Sequence, residues 1–184
     1  MPAIRQHVPL DQYEKNIEAI LSHAPFQTHK TKILLVTPPP VDEIRNRELD
    51  MADGFAESLR KSAITAQYAQ RIRDIAARHT DIVLIDLWQA ITDKANQLTP
   101  EDYVEGGPCL GSEENGKRGG LATLLPDGLH LSGDGYKVFY DLVEPHIGTQ
   151  WQGLDAMDLT GFVYPGWRVL NEESVQAGEL SATK

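Results

Sequence analysis

Asp127 and His130 stand three positions apart in the stretch Asp127-Gly128-Leu129-His130-Leu131-Ser132, where a glycine-containing turn runs straight into an amphipathic segment. A carboxylate that accepts the Nδ1 proton of an imidazole fixes the tautomer and leaves Nε2 free to take a proton from a hydroxyl. The two residues are therefore the candidate acid and base of a hydrolytic triad. A nucleophile has to come from elsewhere in the chain. The seven serines are Ser22, Ser58, Ser62, Ser112, Ser132, Ser174 and Ser181, and none lies in a Gly-X-Ser-X-Gly or Gly-Asp-Ser context that would expose it on a sharp strand-to-helix turn. Ser58 and Ser62 fall on an expected helix and Ser112 in a loop. Ser132 is too close in sequence to swing onto His130 with attack geometry. No nucleophile is assigned.

The same residue types admit other chemistry. Asp127, His130 and His146 would make a three-ligand zinc set, but His146 lies sixteen residues from His130 near a helix end, where a cation interacts favourably with the C-terminal dipole. No metal is assigned. Cys109, in Gly106-Gly107-Pro108-Cys109-Leu110-Gly111, has no helix N-terminus or basic neighbour to stabilise a thiolate and reads as a loop cysteine. Asp42 and Glu43 follow a proline stop at the carboxyl edge of the expected sheet, where ligands bind in open α/β folds. They are candidate substrate-binding residues at the mouth of a site there, with a solvated acidic turn as the alternative. His7, His23, His29 and His79 show no partner pattern, and Trp88 and Trp167 read as packing residues.

The elements that must position the pair follow from periodicity. Tyr13, Ile17, Ile20 and Leu21 predict a helix over residues 10–23, and Ile33-Leu34-Leu35-Val36, stopped by Pro38-Pro39-Pro40, predicts a strand over 32–37 that is buried on both faces. Residues 54–79 read as one long helix with Leu59, Ala63, Ala66, Ala69, Ile72, Ile75 and Ala76 on its apolar side. A second strand is expected over 81–88, a helix over 87–96, and a final helix carrying Tyr136, Phe139, Tyr140, Leu142, Val143 and Ile147, with Ser132 or Asp134 as its N-cap. Helices between strands imply parallel pairing, so the class is α/β. Between residues 97 and 126 periodicity is lost and a long mobile surface loop is expected; Phe162, Tyr164 and Trp167 are expected to pack back on the body, with 171–184 a disordered tail.

Length and charge limit the remaining classes. At 184 residues and 41% hydrophobic the chain supports one domain with a core. The net charge of −10 excludes a phosphate-backbone binder, since nucleic acid demands a basic face. No apolar run approaches a membrane span, no signal-peptide pattern is present, and a single cysteine allows no internal disulfide; together these predict a cytoplasmic location.

Three stretches then match a known pattern: Gln6-His7-Val8-Pro9-Leu10 followed by Tyr13, the run Ile33-Leu34-Leu35-Val36-Thr37-Pro38-Pro39-Pro40-Val41-Asp42-Glu43, and Asp127 to Ser132. Asp86-Leu87-Trp88 and Pro165-Gly166-Trp167-Arg168 add weaker support. On these residues the chain resembles SGNH (GDSL-type) hydrolases, in particular isoamyl acetate-hydrolysing esterases. The resemblance implies a partial flavodoxin-like three-layer α/β/α fold, a carboxylic-ester hydrolase acting on short-chain acyl esters through an acyl-serine, no cofactor, and Asp127 and His130 as triad acid and base. Members of that family carry the nucleophile in an N-terminal Gly-Asp-Ser strand and oxyanion donors in a Gly and a Gly-X-Asn-Asp block, none of which occurs here. Only the family's last two strands have counterparts. The expectation is an N-terminally truncated chain: residues 1–150 the C-terminal portion of the domain, 151–170 an extension packing on it, 171–184 the tail. Such a chain is expected to be inactive alone, or to act as a non-catalytic fragment or pseudo-enzyme whose partner is a homo-oligomer or the missing N-terminal segment.

Overall fold

The computed structural model of the chain describes residues 7–29, 32–56 and 59–147. Two strands, β1 (Ile33–Val36) and β2 (Ile82–Ile85), pair in parallel with Ile33 opposite Ile82 and Val36 opposite Ile85. Both are short runs of β-branched and leucine residues, stopped by prolines after β1 and by the helix-capping Asp86 after β2. The alternation of side chains along a strand feeds two apolar clusters, one on each face of the sheet. Ile33, Leu35, Ile82 and Leu84 meet Leu21, Ile72 and Ile75 from helices α1 (Leu10–Leu21) and α4 (Ser62–Ala76). Between these, α2 (Ala24–His29) and α3 (Glu43–Ala52) flank β1 in the chain. On the opposite face, Val36 packs against a cluster from α5 (Leu87–Leu98), α6 (Leu121–Leu124) and the partly buried side chains of α7 (Gly133–Val143). The result is α/β with helices on both faces of a parallel sheet. No helix among the described residues is long and apolar enough to cross a membrane.

Several expectations are corrected. The strands are only partly buried, with Ile85 alone fully so, because each of the two described strands has a single strand neighbour. The helix expected over 54–79 begins at Ser62, because buried acids of α3 capture the backbone ahead of it: Asp50 Oδ2 accepts from Leu59 N at 2.8 Å and Glu43 Oε2 from Ser62 N at 3.2 Å. The helix α3 itself was unforeseen. Its buried positions, Glu43, Asn46 and Asp50, are polar, so apolar periodicity is blind to it. The stretch 97–126 is a built part of the fold rather than a mobile loop. Leu110, Leu121, Leu124 and Leu125 are buried in the core, Thr99 Oγ1 accepts from Gly120 N, and Lys117 pairs with Asp102.

The carboxyl ends of the strands are tied by one polar junction. Arg73 donates to both oxygens of Asp86 at 2.7 and 3.0 Å, Thr37 Oγ1 donates to Asp86 and accepts from Trp88 N, and Arg73 lies over the Trp88 ring at 5.4 Å. Burial pushes the Asp86 carboxyl up, but Arg73, the Gln89 N–H and Thr37 together bring it below the usual carboxylate range. The described residues divide into one unit up to Leu142 and a short stretch, 143–147, that contains the 3₁₀ turn Glu144–His146. The expectations for 151–170 and 171–184, with Phe162, Tyr164 and Trp167, lie outside the described residues.

Candidate active site

Asp127 opens a tight Asx-type turn. Its Oδ1 accepts the backbone N–H of Leu129 at 2.9 Å and of His130 at 2.8 Å, so the carboxylate is locked to its own turn before any side chain arrives. Oδ2 is then left for the His130 ring, with Nδ1 at 2.6 Å. Assigning the Nδ1 proton to this contact leaves Nε2 as the unprotonated nitrogen. No described residue hydrogen-bonds Nε2, and the imidazole is 77% exposed. The His130 hydrogen bond, with the N–H groups of His130 and Leu129, holds the Asp127 carboxyl at about 2 against a modest opposing effect of burial. Asp127 is thus an anion throughout the neutral range.

What holds the turn is buried. Gly128 adopts φ +85°, a left-handed conformation that glycine tolerates and side chains resist. Its carbonyl accepts from Asp42 N at 2.9 Å and from Asn46 Nδ2 at 2.7 Å, while Gly128 N donates to Leu125 O at 2.9 Å. On the far side Ser132 N donates to Leu124 O, and Ser132 Oγ accepts from Gly135 N at 3.1 Å, which makes Ser132 the cap of α7. The turn therefore hangs between α3 and α7.

Asp42 and Glu43 belong to this support. Asp42 is fully buried, caps α3 through Arg45 N and pairs with Arg118, whose guanidinium also reaches the Leu125 and Pro126 carbonyls. Glu43 is 6% exposed and takes Lys61 Nζ at 2.8 Å as well as Ser62 N. A solvated acidic turn is thus replaced by two buried struts, and neither carboxylate has an oxygen left without a protein partner. The Gly111 carbonyl accepts from Glu43 N and Ile44 N, which completes the first turn of α3.

The described serines are all engaged nearby. Ser22 Oγ donates to Glu18 O, Ser62 Oγ to Val41 O and Ser112 Oγ to Cys109 O; with the capping Ser132, none hydrogen-bonds His130. Ser58, Ser174 and Ser181 lie outside the described residues. Cys109 is exposed and unpaired. Among the described residues no group of three or more His, Cys, Asp or Glu is placed to hold a metal. Asn46 and Arg118 are the residues the sequence reading missed. The one signal was the Asp42 cap followed by Arg45, since Asn46 meets Gly128 across 82 residues of chain.

With this geometry in hand, comparison with known proteins is informative. The model of the GDSL-like Lipase/Acylhydrolase family matches residues 2–143. A GDSL esterase/lipase of Arabidopsis thaliana is 30% identical over 157 residues, covering 84% of this chain and 54% of its own. Another from the same plant is 25% identical over 83% of this chain and 55% of its own. An isoamyl acetate-hydrolyzing esterase 1 homolog of Rattus norvegicus is 24% identical over 91% of this chain and 55% of its own. The chain spans about half the length of these curated relatives.

Proposed function

Because the chain belongs to the GDSL-like lipase/acylhydrolase family, we propose that Asp127 and His130 are the acid and base of a carboxylic-ester hydrolase that works through an acyl-serine intermediate. The observation that carries this reading is the 2.6 Å contact from His130 Nδ1 to Asp127 Oδ2 beside an exposed imidazole. In that reaction Nε2 takes the proton of a serine hydroxyl as its oxygen attacks the ester carbonyl carbon, then returns it to the departing alcohol. Water, deprotonated in the same way, attacks the acyl-serine, and the proton goes back to the serine oxygen as the acid leaves. Asp127 stays ionised and steadies the imidazolium. The chemistry requires no metal or cofactor.

The substrate class is a short-chain acyl ester, and the name of the rodent relative makes isoamyl acetate the first to try. The nucleophile is the part this chain does not visibly supply. Each described serine hydroxyl is engaged by nearby backbone, and His130 Nε2 stands exposed with no described hydroxyl against it. The described residues therefore read as the acid and base of a hydrolase without a nucleophile beside them, and no turnover is expected from them alone. The same exposure favours a second reading, a binding role in which another polypeptide covers His130.

Intact-mass analysis after a fluorophosphonate probe, with His130→Ala alongside, tests the proposal. No adduct on the folded chain is the expected result. A His130-dependent adduct would show that one of its own serines attacks and would overturn the half-site reading.

A further inference from the structure

We infer that Asn46 is a positioning residue for the acid-base pair, its buried amide aiming the Gly128–Leu129 peptide so that Asp127 and His130 stay locked together. The inference rests on the reading of that pair as acid and base. A peptide unit is planar and trans, so its C=O and N–H point to opposite sides and turn as one body. In the Gly128–Leu129 unit the two ends are held by different parts of the molecule. The Gly128 oxygen is held by Asn46 Nδ2 at 2.7 Å and by Asp42 N at 2.9 Å. The Leu129 N–H is held by Asp127 Oδ1 at 2.9 Å. Fixing the first end aims the second. The Asp127 carboxylate, fixed through Oδ1, presents Oδ2 to His130 Nδ1.

This peptide is the one in the turn most able to flip, because the residue before it is a glycine at φ +85°. A flip would swing the Leu129 N–H off Asp127 and leave Oδ1 held by the His130 N–H alone, so that the carboxylate is freer to turn from the ring. Asn46 opposes it from a rigid seat. It is 5% exposed, sits in the middle of α3, and its Nδ2 also donates to Asp42 O at 3.1 Å. Contact is close from the other side as well, since a Cβ on Gly128 would come within 2.6 Å of Asn46 Nδ2. With Asp42 N still bonded to the carbonyl, losing Asn46 weakens the lock without abolishing the fold.

The tautomer of His130 reads this directly through two-bond ¹H–¹⁵N correlations of the ring at pH 8. The parent chain is expected to show the Nδ1–H form. In Asn46→Ala the ratio of Nε2–H to Nδ1–H should rise roughly fivefold, the worth of one ordinary hydrogen bond. Asp50→Asn is the control: it alters another buried polar residue of α3, which accepts from Leu59 N and makes no contact with the turn, so it should lower stability and leave the tautomer alone. Gly128→Ala attacks the same contact from the turn and should mix the tautomers even if Asn46→Ala fails to fold. An unchanged Nδ1–H form in Asn46→Ala, or in Gly128→Ala, overturns the positioning role and leaves the acid-base reading standing. A parent chain already dominated by Nε2–H overturns both.

Discussion

His79 and His130 each hold a carboxylate, and they hold it by different nitrogens. His79, just beyond α4, reaches Glu18 of α1 through Nε2 at 3.0 Å, inside a cluster in which Arg78 also binds Glu18 and Glu14 while Arg71 binds Glu14. His130 reaches Asp127 through Nδ1 at 2.6 Å. In the first case the distal nitrogen is consumed in joining two helices. In the second it is left free, and the carboxylate is fixed by backbone N–H groups that hold no other side chain. The seam is a half-buried mesh of ion pairs in which Glu14 and Glu18 each have two cationic partners, whereas the turn stands on buried single contacts from Asp42, Asn46 and Arg118. A histidine-carboxylate pair is thus a brace or a chemical device according to which nitrogen is tied and what the carboxylate rests on.

Substitutions that break this contrast should do so unequally. Arg118→Met strips the fully buried Asp42 carboxylate of its cation and should cost about 3–5 kcal/mol, read in urea unfolding. Gly128→Ala forces a side chain into φ +85° and against Asn46 and the Asp42 carbonyl, and a loss of about 2–3 kcal/mol is expected. At the seam, His79→Ala should cost only about 0.2–1 kcal/mol, since Glu18 keeps Arg78 as a partner and the pair is still open to solvent. Equal losses at the turn's foundation and at the seam would erase the distinction. His130→Ala should cost about as little at neutral pH, about 0.2–1 kcal/mol, because its pair with Asp127 is exposed and screened by solvent.

Acid sharpens the same comparison. Glu18 lies below its usual range, chiefly through the Arg78 hydrogen bond and further through His79, and Asp127 lies at about 2 instead of 3.8 through His130 and two backbone donors. A carboxylate with a depressed folded value binds fewer protons folded than unfolded, so its stabilisation is complete above its ordinary value and fades as pH falls through the folded one. For Asp127 that window runs from about 4 down to about 2. Asp127→Asn should therefore flatten the stability profile below pH 4 while leaving the contribution of Glu18 in place. Comparing urea midpoints at pH 5 and pH 3 checks this.

The strands, α1, α5 and α7 were readable from the chain because their buried positions are apolar and recur at the period of the element. The Asp127–His130 contact was readable because three residues and a glycine nearly dictate it. The helix α3 was not, since Glu43, Asn46 and Asp50 are the residues it buries, and a buried polar side chain looks in sequence like a solvated one. The start of α4 was hidden for the same reason, being set by carboxylates of α3. The order in residues 97–126 rests on leucines spaced by glycine turns at positive φ, such as Gly111 and Gly119, which carry no regular period. The grip of Asn46 on Gly128 joins residues 82 apart and leaves no local mark.

The pairing of Asp127 with His130 is the point on which the rest depends. Its most direct measurement is the titration of the Asp127 carboxyl by ¹³C NMR in the folded chain and in His130→Ala. A midpoint of about 2 that climbs towards 3.8 when the imidazole is removed is the expected result. A midpoint near 3.8 in the parent chain, unmoved by the substitution, would contradict the account.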